Sequence, residues 1–251
     1  MPGMARYDFN AQRLFVEADL AEAATIACTP EQANYLRNVL RLKPGDRILV
    51  FNGRYGEWLA ELAEAGKRAV CLRVGSQIRP QEGGPDIDYL FAPLKRARLD
   101  YLVQKATEMG VARLRPILTH RTIAERVNME RMRANVIEAA EQCGIISVAE
   151  VVEPVALERF IDARDVARLL VFCDEASEVE APVQALLAAQ AGAGIDVLIG
   201  PEGGFAAEER ELLLRQPSIL RLSLGPRILR ADTAAVAALA LVQAAIGDWR
   251  G

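Results

Sequence analysis

Residues 198–204, Leu-Ile-Gly-Pro-Glu-Gly-Gly, and residues 224–230, Leu-Gly-Pro-Arg-Ile-Leu-Arg, combine residue types and spacing that can support chemistry. Each lies at the end of an apolar run, Ile195–Ile199 or Ile219–Leu224, turns on glycine and proline, and leads into a helical pattern. Strand-to-helix loops at the carboxyl ends of strands are where an open α/β sheet binds its ligand. These two loops carry little that can act as a nucleophile and no phosphate-cradling lysine. Glycine lets main-chain groups approach a ligand closely. The pair therefore points to a small molecule enclosed by backbone groups and apolar side chains.

Several chemistries lack their parts. No Gly-x-x-x-x-Gly-Lys-Ser/Thr segment is present, which argues against a P-loop nucleotidase. No Gly-x-Gly-x-x-Gly follows the first strand of the α/β part, and no Gly-x-Ser-x-Gly elbow occurs. Cys28, Cys71, Cys143 and Cys173 are far apart, and His120 is the only histidine, so the pattern predicts free thiols and no metal site. Group transfer from a bound carrier to a separately bound acceptor needs less. It needs a tight carrier pocket, alignment, and a group that takes or shields a proton.

The elements that must position these loops fall into two grammars. Residues 1–79 read as mostly β, with strands at Arg13–Val16, Arg47–Phe51, Trp58–Leu62 and Ala69–Val74. One helix opens at Thr29-Pro-Glu-Gln32, where an N-cap, a proline and a glutamine stand in capping-box order, and runs through Leu40. Short strands around one helix suggest a small barrel. Residues 80–86 form a Gly/Pro-rich linker, and residues 87–251 alternate strand and helix, as in a mainly parallel sheet. The predicted helices include one from Arg98 to Gly110, Met129–Cys143 and the alanine-rich Thr233–Ile246.

The formal net charge is −4, but it is unevenly spread: residues 1–80 carry +2 and residues 81–251 carry −6. Arg37, Arg41, Lys43 and Arg47 cluster, as do Lys95, Arg96 and Arg98. Local patches on a mildly acidic chain can still grip phosphates, because the relevant field is local. No apolar run reaches the roughly 18–20 residues that span a bilayer. The N-terminus has no apolar signal-peptide core, so the expected location is the cytoplasm.

The residues then carry a likeness. Leu198–Phe205, Leu222–Thr233 and Glu138–Gly144, together with Tyr35–Arg41, Lys43–Asp46 and Lys95–Gly110, resemble the ribosomal RNA small-subunit methyltransferase E family. These are the 16S rRNA uridine-N3 methyltransferases of the SPOUT superfamily. The resemblance implies a PUA-like N-terminal β-barrel that binds RNA, followed by an α/β domain tied in a deep trefoil knot. It implies S-adenosylmethionine as methyl donor, 16S rRNA in the small ribosomal subunit as substrate, and a homodimer.

Residue by residue, the donor loops of such enzymes map to Phe172 and Cys173, to Leu198, Gly200, Pro201 and Gly203, and to Leu222, Leu224, Gly225, Ile228 and Leu229. Arg230 or Arg227 would stabilise a uridine anion, and Asp232 or Glu202 would accept its proton or orient the base. Asp232 also stands where an N-cap for the last helix would stand. Lys95, Arg96, Arg98, Arg37 and Arg41 are candidate phosphate contacts, and Arg227 is a further candidate for RNA. The chain departs from the family pattern at Asp232-Thr233, where Glu-Thr is common, at Tyr35 and at Asn52. A non-catalytic RNA-binding assembly factor, or an enzyme acting at another RNA position, are the competing readings.

Overall fold

The computed structural model describes residues 11–64, 70–123, 126–177, 181–189 and 192–250. The chain divides into two compact units, residues 1–83 with 140–148, and residues 84–139 with 149–251. The inclusion of 140–148 in the first unit is a feature that a linear reading of the sequence does not contain.

In the first unit, β1 (Arg13–Phe15), β2 (Thr25–Ala27), β3 (Arg47–Phe51), β4 (Glu57–Glu64) and β5 (Val70–Arg79) form one sheet in the order β1-β3-β4-β5-β2. β1 runs parallel to β3, and the other pairings are antiparallel. Leu14, Ile26, Ile48, Val50, Leu62 and Leu72 pack into its core. Gly56 is obligatory here: its φ is +77°, and a Cβ would press on the backbone of Pro80 and Gln81 at 2.8 Å. A second cluster joins Phe51 to Ala140 and Ile146, which ties the 140–148 segment to this sheet.

The helix α1 (Pro30–Asn34) starts with the expected capping box, in which Thr29 Oγ1 accepts the Gln32 N–H at 3.2 Å and Gln32 Oε1 accepts the Thr29 N–H at 2.9 Å. It does not continue as an α-helix to Leu40. Residues Tyr35–Val39 widen into a π-helical turn, with the Leu40 N–H donating to Tyr35 O five residues back. The wider turn buries Leu36, leaves Val39 exposed, and is followed by Arg41 at φ +57°.

The second unit comprises β6 (Ile87–Phe91), α2 (Arg96–Glu108), β7 (Arg113–Leu118), α3 (Met129–Cys143) up to residue 139, β8 (Glu150–Val151), β9 (Val155–Ala156), α4 (Leu157–Ala163), β10 (Leu169–Cys173), α5 (Pro182–Ala188), β11 (Ile195–Ile199), α6 (Ala207–Leu214), β12 (Ile219–Leu222) and α7 (Ala231–Ile246). Its sheet runs β12-β10-β11-β6-β7-β8, with every pair parallel. All residues of β6 and β11 are buried, as strands covered on both faces must be. β10 sits between β11 and β12, so the chain first steps inward to β11 and then crosses back to the far side of β10. That reversal makes the carboxyl ends of these strands a switch point, the place where open sheets hold ligands. Register aligns Cys173 with both Ile199 and Leu222, which brings three loops to one edge.

The opposite, amino edge is charged. Buried Asp88 and Asp196 meet Arg168, whose Nε donates to Asp196 Oδ1 at 2.7 Å and whose Nη2 lies 3.2 Å from Asp88 Oδ1. Asp86, Arg113 and Arg115 complete the network. Along α7, Ala234, Ala235, Ala238 and Ala245 are buried, and the helix packs on α2. Small side chains allow that close approach. Among the described residues, no helix is long and apolar enough to cross a membrane.

Candidate active site

A cavity of 330 Å³ opens where β10, β11 and β12 end. Phe172–Ala176 form one wall, Ile199–Glu202 with Gly204 and Phe205 a second, and Leu222–Leu229 a third, with Ala231 and Ala234 of α7 behind them. Of the residues that the sequence offered for a carrier, Phe172, Cys173, Gly200, Pro201, Leu222, Leu224, Gly225, Ile228 and Leu229 line this space. Leu198 lies one layer below, in a core cluster with Leu90 and Phe172. Gly203 is outside the lining, and its carbonyl accepts Arg121 Nη1 at 2.7 Å.

The walls are fixed from behind. Phe205 meets Phe172 edge to face with ring centroids 5.3 Å apart. Asp174 is buried at the end of β10 and accepts from Arg210 Nη2 at 2.9 Å, from Arg221 Nε at 3.0 Å and from the Ala176 N–H at 3.1 Å. Burial pushes the Asp174 carboxyl up, but the hydrogen bonds from Arg210, Ala176 and Arg221 outweigh it and hold the group below the usual carboxylate range. A depressed carboxylate stabilises the fold above its unfolded pKa and loses that contribution as pH falls through the folded one. Wild-type melting temperature should therefore fall more steeply than that of Asp174→Asn as pH drops below about 4, as read by calorimetry. Cys173 is partly exposed at the cavity floor, and burial pushes its thiol up to about 12.

The four acid–base candidates separate. Arg98, in the first turn of α2, donates from Nε to Asp232 Oδ2 at 3.0 Å and pairs through Nη1 with Glu202. The hydrogen bond from Arg98 is the main cause that lowers the Asp232 carboxyl. Asp232 is not the N-cap of α7. Arg230 occupies that position, because the helix begins two residues earlier than expected, at Ala231, and Asp232 falls within its first turn. Arg227 and Arg230 are exposed and make no ion pair among the described residues, and Arg227 lines the cavity.

Of the candidate phosphate contacts, Arg41, Lys95 and Arg96 are exposed and Arg37 is half-buried, whereas Arg98 is committed to its two carboxylates. Sequence reasoning missed Arg210, Arg221 and Arg121. Each is an isolated arginine without a motif, and only the strand order brings it to the loops. Among the described residues, His120, Glu158 and Glu209 are the one group of potential metal ligands with donor atoms within 4.8 Å of one another. Glu209 already accepts the His120 and Ala206 N–H groups, each at 2.8 Å, and so closes the start of α6.

Comparison with known proteins agrees with this architecture. A family model described as an RNA methyltransferase domain matches residues 82–243, and one described as an RNA methyltransferase PUA domain matches residues 29–75. The ribosomal RNA small subunit methyltransferase E of Rickettsia conorii is 31% identical over 92% of this chain and 94% of its own length. That of Bacillus subtilis is 28% identical over 92% and 95%. Among solved structures, a methyltransferase of Legionella pneumophila in complex with bound cofactor SAM is 30% identical, covers 95% of this chain and 99% of its own, and superposes with a TM-score of 0.82. The small-subunit methyltransferase E of Neisseria gonorrhoeae has the same TM-score at 24% identity, covers 96% and 100%, and supports the fold. The fold shared with these neighbours is a PUA-like N-terminal unit followed by a SPOUT-type parallel α/β domain. The chain thus belongs to the ribosomal RNA small subunit methyltransferase E family.

Proposed function

We propose that this protein transfers a methyl group from S-adenosylmethionine to N3 of one uridine in 16S rRNA, within the small ribosomal subunit. The observation that carries the reading is the cavity at the switch point, walled by two glycine-rich loops and bordered by the exposed Arg227. Its 330 Å³ lies within the ~300–1,000 Å³ typical of small-molecule sites. The lining fits the group: apolar Leu222, Leu224 and Leu229 for an aromatic base, and close main-chain approach at Gly200 and Gly225. When bound, S-adenosylmethionine supplies an electrophilic methyl group on a sulfonium.

The chain's own residues do the rest. Arg227 and Arg230, free to turn toward an acceptor, stabilise negative charge on the uracil carbonyl oxygens as the N3 proton leaves. Glu202 or Asp232, both ion-paired with Arg98, receive or relay that proton. Arg41, Lys95 and Arg96 offer exposed cations to RNA phosphates. Ile228 is 93% exposed at the cavity mouth, a poor resting state for an apolar side chain. A second copy of the chain, covering that loop in a homodimer, accounts for it. The deep trefoil knot belongs to the same reading, supported by β12 lying beyond β10 while α7 returns to α2 and β11.

Nucleoside mass spectrometry of rRNA from cells lacking the gene tests the assignment. Loss of 3-methyluridine at one 16S position is expected, whereas an unchanged profile would favour a binding factor and a different lost nucleoside would move the target. Arg230→Ala should lower turnover about 10²–10³-fold, with donor affinity by calorimetry unchanged within a few-fold. Normal turnover in that variant would shift the anion-stabilising role to Arg227.

A further inference from the structure

We propose that Arg98 is a positioning residue for methyl transfer, a tie that fixes Glu202 of the loop after β11 and Asp232 of the first turn of α7 relative to each other. The inference rests on the reading of the cavity as a methyl-donor site. It does not depend on which nucleotide accepts the methyl group.

The geometry is specific. Arg98 belongs to α2, which contributes nothing to the cavity lining, yet its side chain reaches both loop systems that do. Nη1 takes Glu202 and Nε takes Asp232 at 3.0 Å. Glu202 lines the cavity, and Asp232 directly follows Ala231, which also lines it. The second oxygen of Asp232 is held by the Thr233 N–H at 2.9 Å, so this carboxylate is constrained from two sides. The Arg98 side chain is about one-third exposed, at 30%, which places the tie at the rim of the site.

A planar guanidinium can hold two carboxylates at a set angle and distance, which an ammonium cannot. Without the cation, Glu202 and Asp232 are two like charges close together, and they would move apart. The loop carrying Glu202 and the first turn of α7 carrying Asp232 would follow. Nη2 of Arg98 is buried and has no hydrogen-bond partner. It shares the guanidinium edge with Nε, and Asp232 engages only the Nε end of that edge. Arg210 of α6 shows the alternative, giving Asp174 both Nε, at 3.3 Å, and Nη2, at 2.9 Å. The Arg98 edge thus keeps one donor in reserve beside the start of α7.

The sequence grouped Arg98 with Lys95 and Arg96 as a phosphate contact. The structure separates them, since Lys95 and Arg96 are exposed while Arg98 turns inward to acids. Arg98→Gln should therefore behave differently from Lys95→Gln. The first should lower kcat, and the second should raise KM for the RNA substrate.

The test is a mutant cycle on the full chain, with labelled methyl transfer to small ribosomal subunits as the readout, alongside donor affinity and melting temperature. With Arg98 present, the effects of Glu202→Gln and Asp232→Asn on kcat should depend on each other by at least fivefold. In the Arg98→Gln background the same two effects should simply multiply. Arg98→Gln alone should lower kcat tenfold or more, with KM for the subunit little changed, and Arg98→Lys should recover only part of the loss. Multiplicative effects with Arg98 in place, or wild-type kcat in Arg98→Gln, would overturn the proposal. If wild-type protein transfers no label, the functional reading fails instead. The same cycle read in melting temperature then still decides whether the tie exists. Should Arg98→Gln fail to fold, the cycle is run in Arg98→Lys, where the coupling should be weakened but present, and undiminished coupling would count against a role for the guanidinium.

Discussion

Gly200→Ala should weaken S-adenosylmethionine binding by about 5- to 150-fold, the range expected when about 1–3 kcal/mol of overpacking falls on a ligand wall. A Cβ at Gly200 would lie 2.9 Å from both Cδ2 and Cζ of Phe205. The ring cannot retreat freely, because it packs edge to face on Phe172, itself a cavity wall. It must either swing toward the ligand or leave Phe172, and both outcomes reshape the pocket. Gly203→Ala is the control from the same loop. Its Cβ would meet Arg121 Cδ at an ordinary 3.6 Å, so donor affinity should change less than about twofold. Isothermal titration of both variants decides the matter, and equal losses would mean that loop mobility, not the Phe205 contact, sets affinity.

Arg168→Met should cost about 3–5 kcal/mol of folding stability, the loss typical when one partner of a buried ion pair is removed. Arg168 is the shared cation of Asp86, Asp88 and Asp196, and two of those carboxylates are buried. Its removal leaves Asp196 with only the weaker influence of Arg164 to offset desolvation. Burial already pushes the Asp196 carboxyl above its ordinary value even with Arg168 in place. In the variant that displacement should grow, and a carboxyl raised in the folded state gains stability on protonation. The deficit measured by urea denaturation should therefore be largest near neutral pH and shrink as pH falls. A deficit independent of pH would assign the loss to packing alone.

These two sites differ in how far the sequence revealed them. The loops were legible because glycine and proline punctuate apolar runs: Ile195–Ile199 forms a strand as the pattern puts it, and the run Ile219–Leu224 forms one that ends two residues sooner, at Leu222. Met129–Cys143 was readable to the residue from helical periodicity and the glycine after it. The short strands Thr25–Ala27, Glu150–Val151 and Val155–Ala156 were not, since two or three residues carry no period. The π-helical turn at Tyr35–Val39 was hidden for a different reason: its side-chain pattern is that of an α-helix, and only the backbone hydrogen bonds differ. The amino-edge network and the Arg98 tie join residues from 25 (Asp88 to Arg113) to 134 (Arg98 to Asp232) positions apart. Charge patterning flags neither, because each arginine looks like a surface residue until strand order supplies its partners.

Cys173 ends β10 at the floor of the cavity, with its thiol held near 12, while Cys143 is exposed. At neutral pH almost none of the Cys173 sulfur is thiolate, the form that reacts with alkylating reagents. The cavity floor is thus chemically silent toward electrophiles, as the proposed methyl-donor site requires. The same silence makes Cys173 an internal reporter. Cys143 should label early under native conditions, and label appearing at Cys173 would time the opening of the β10 edge.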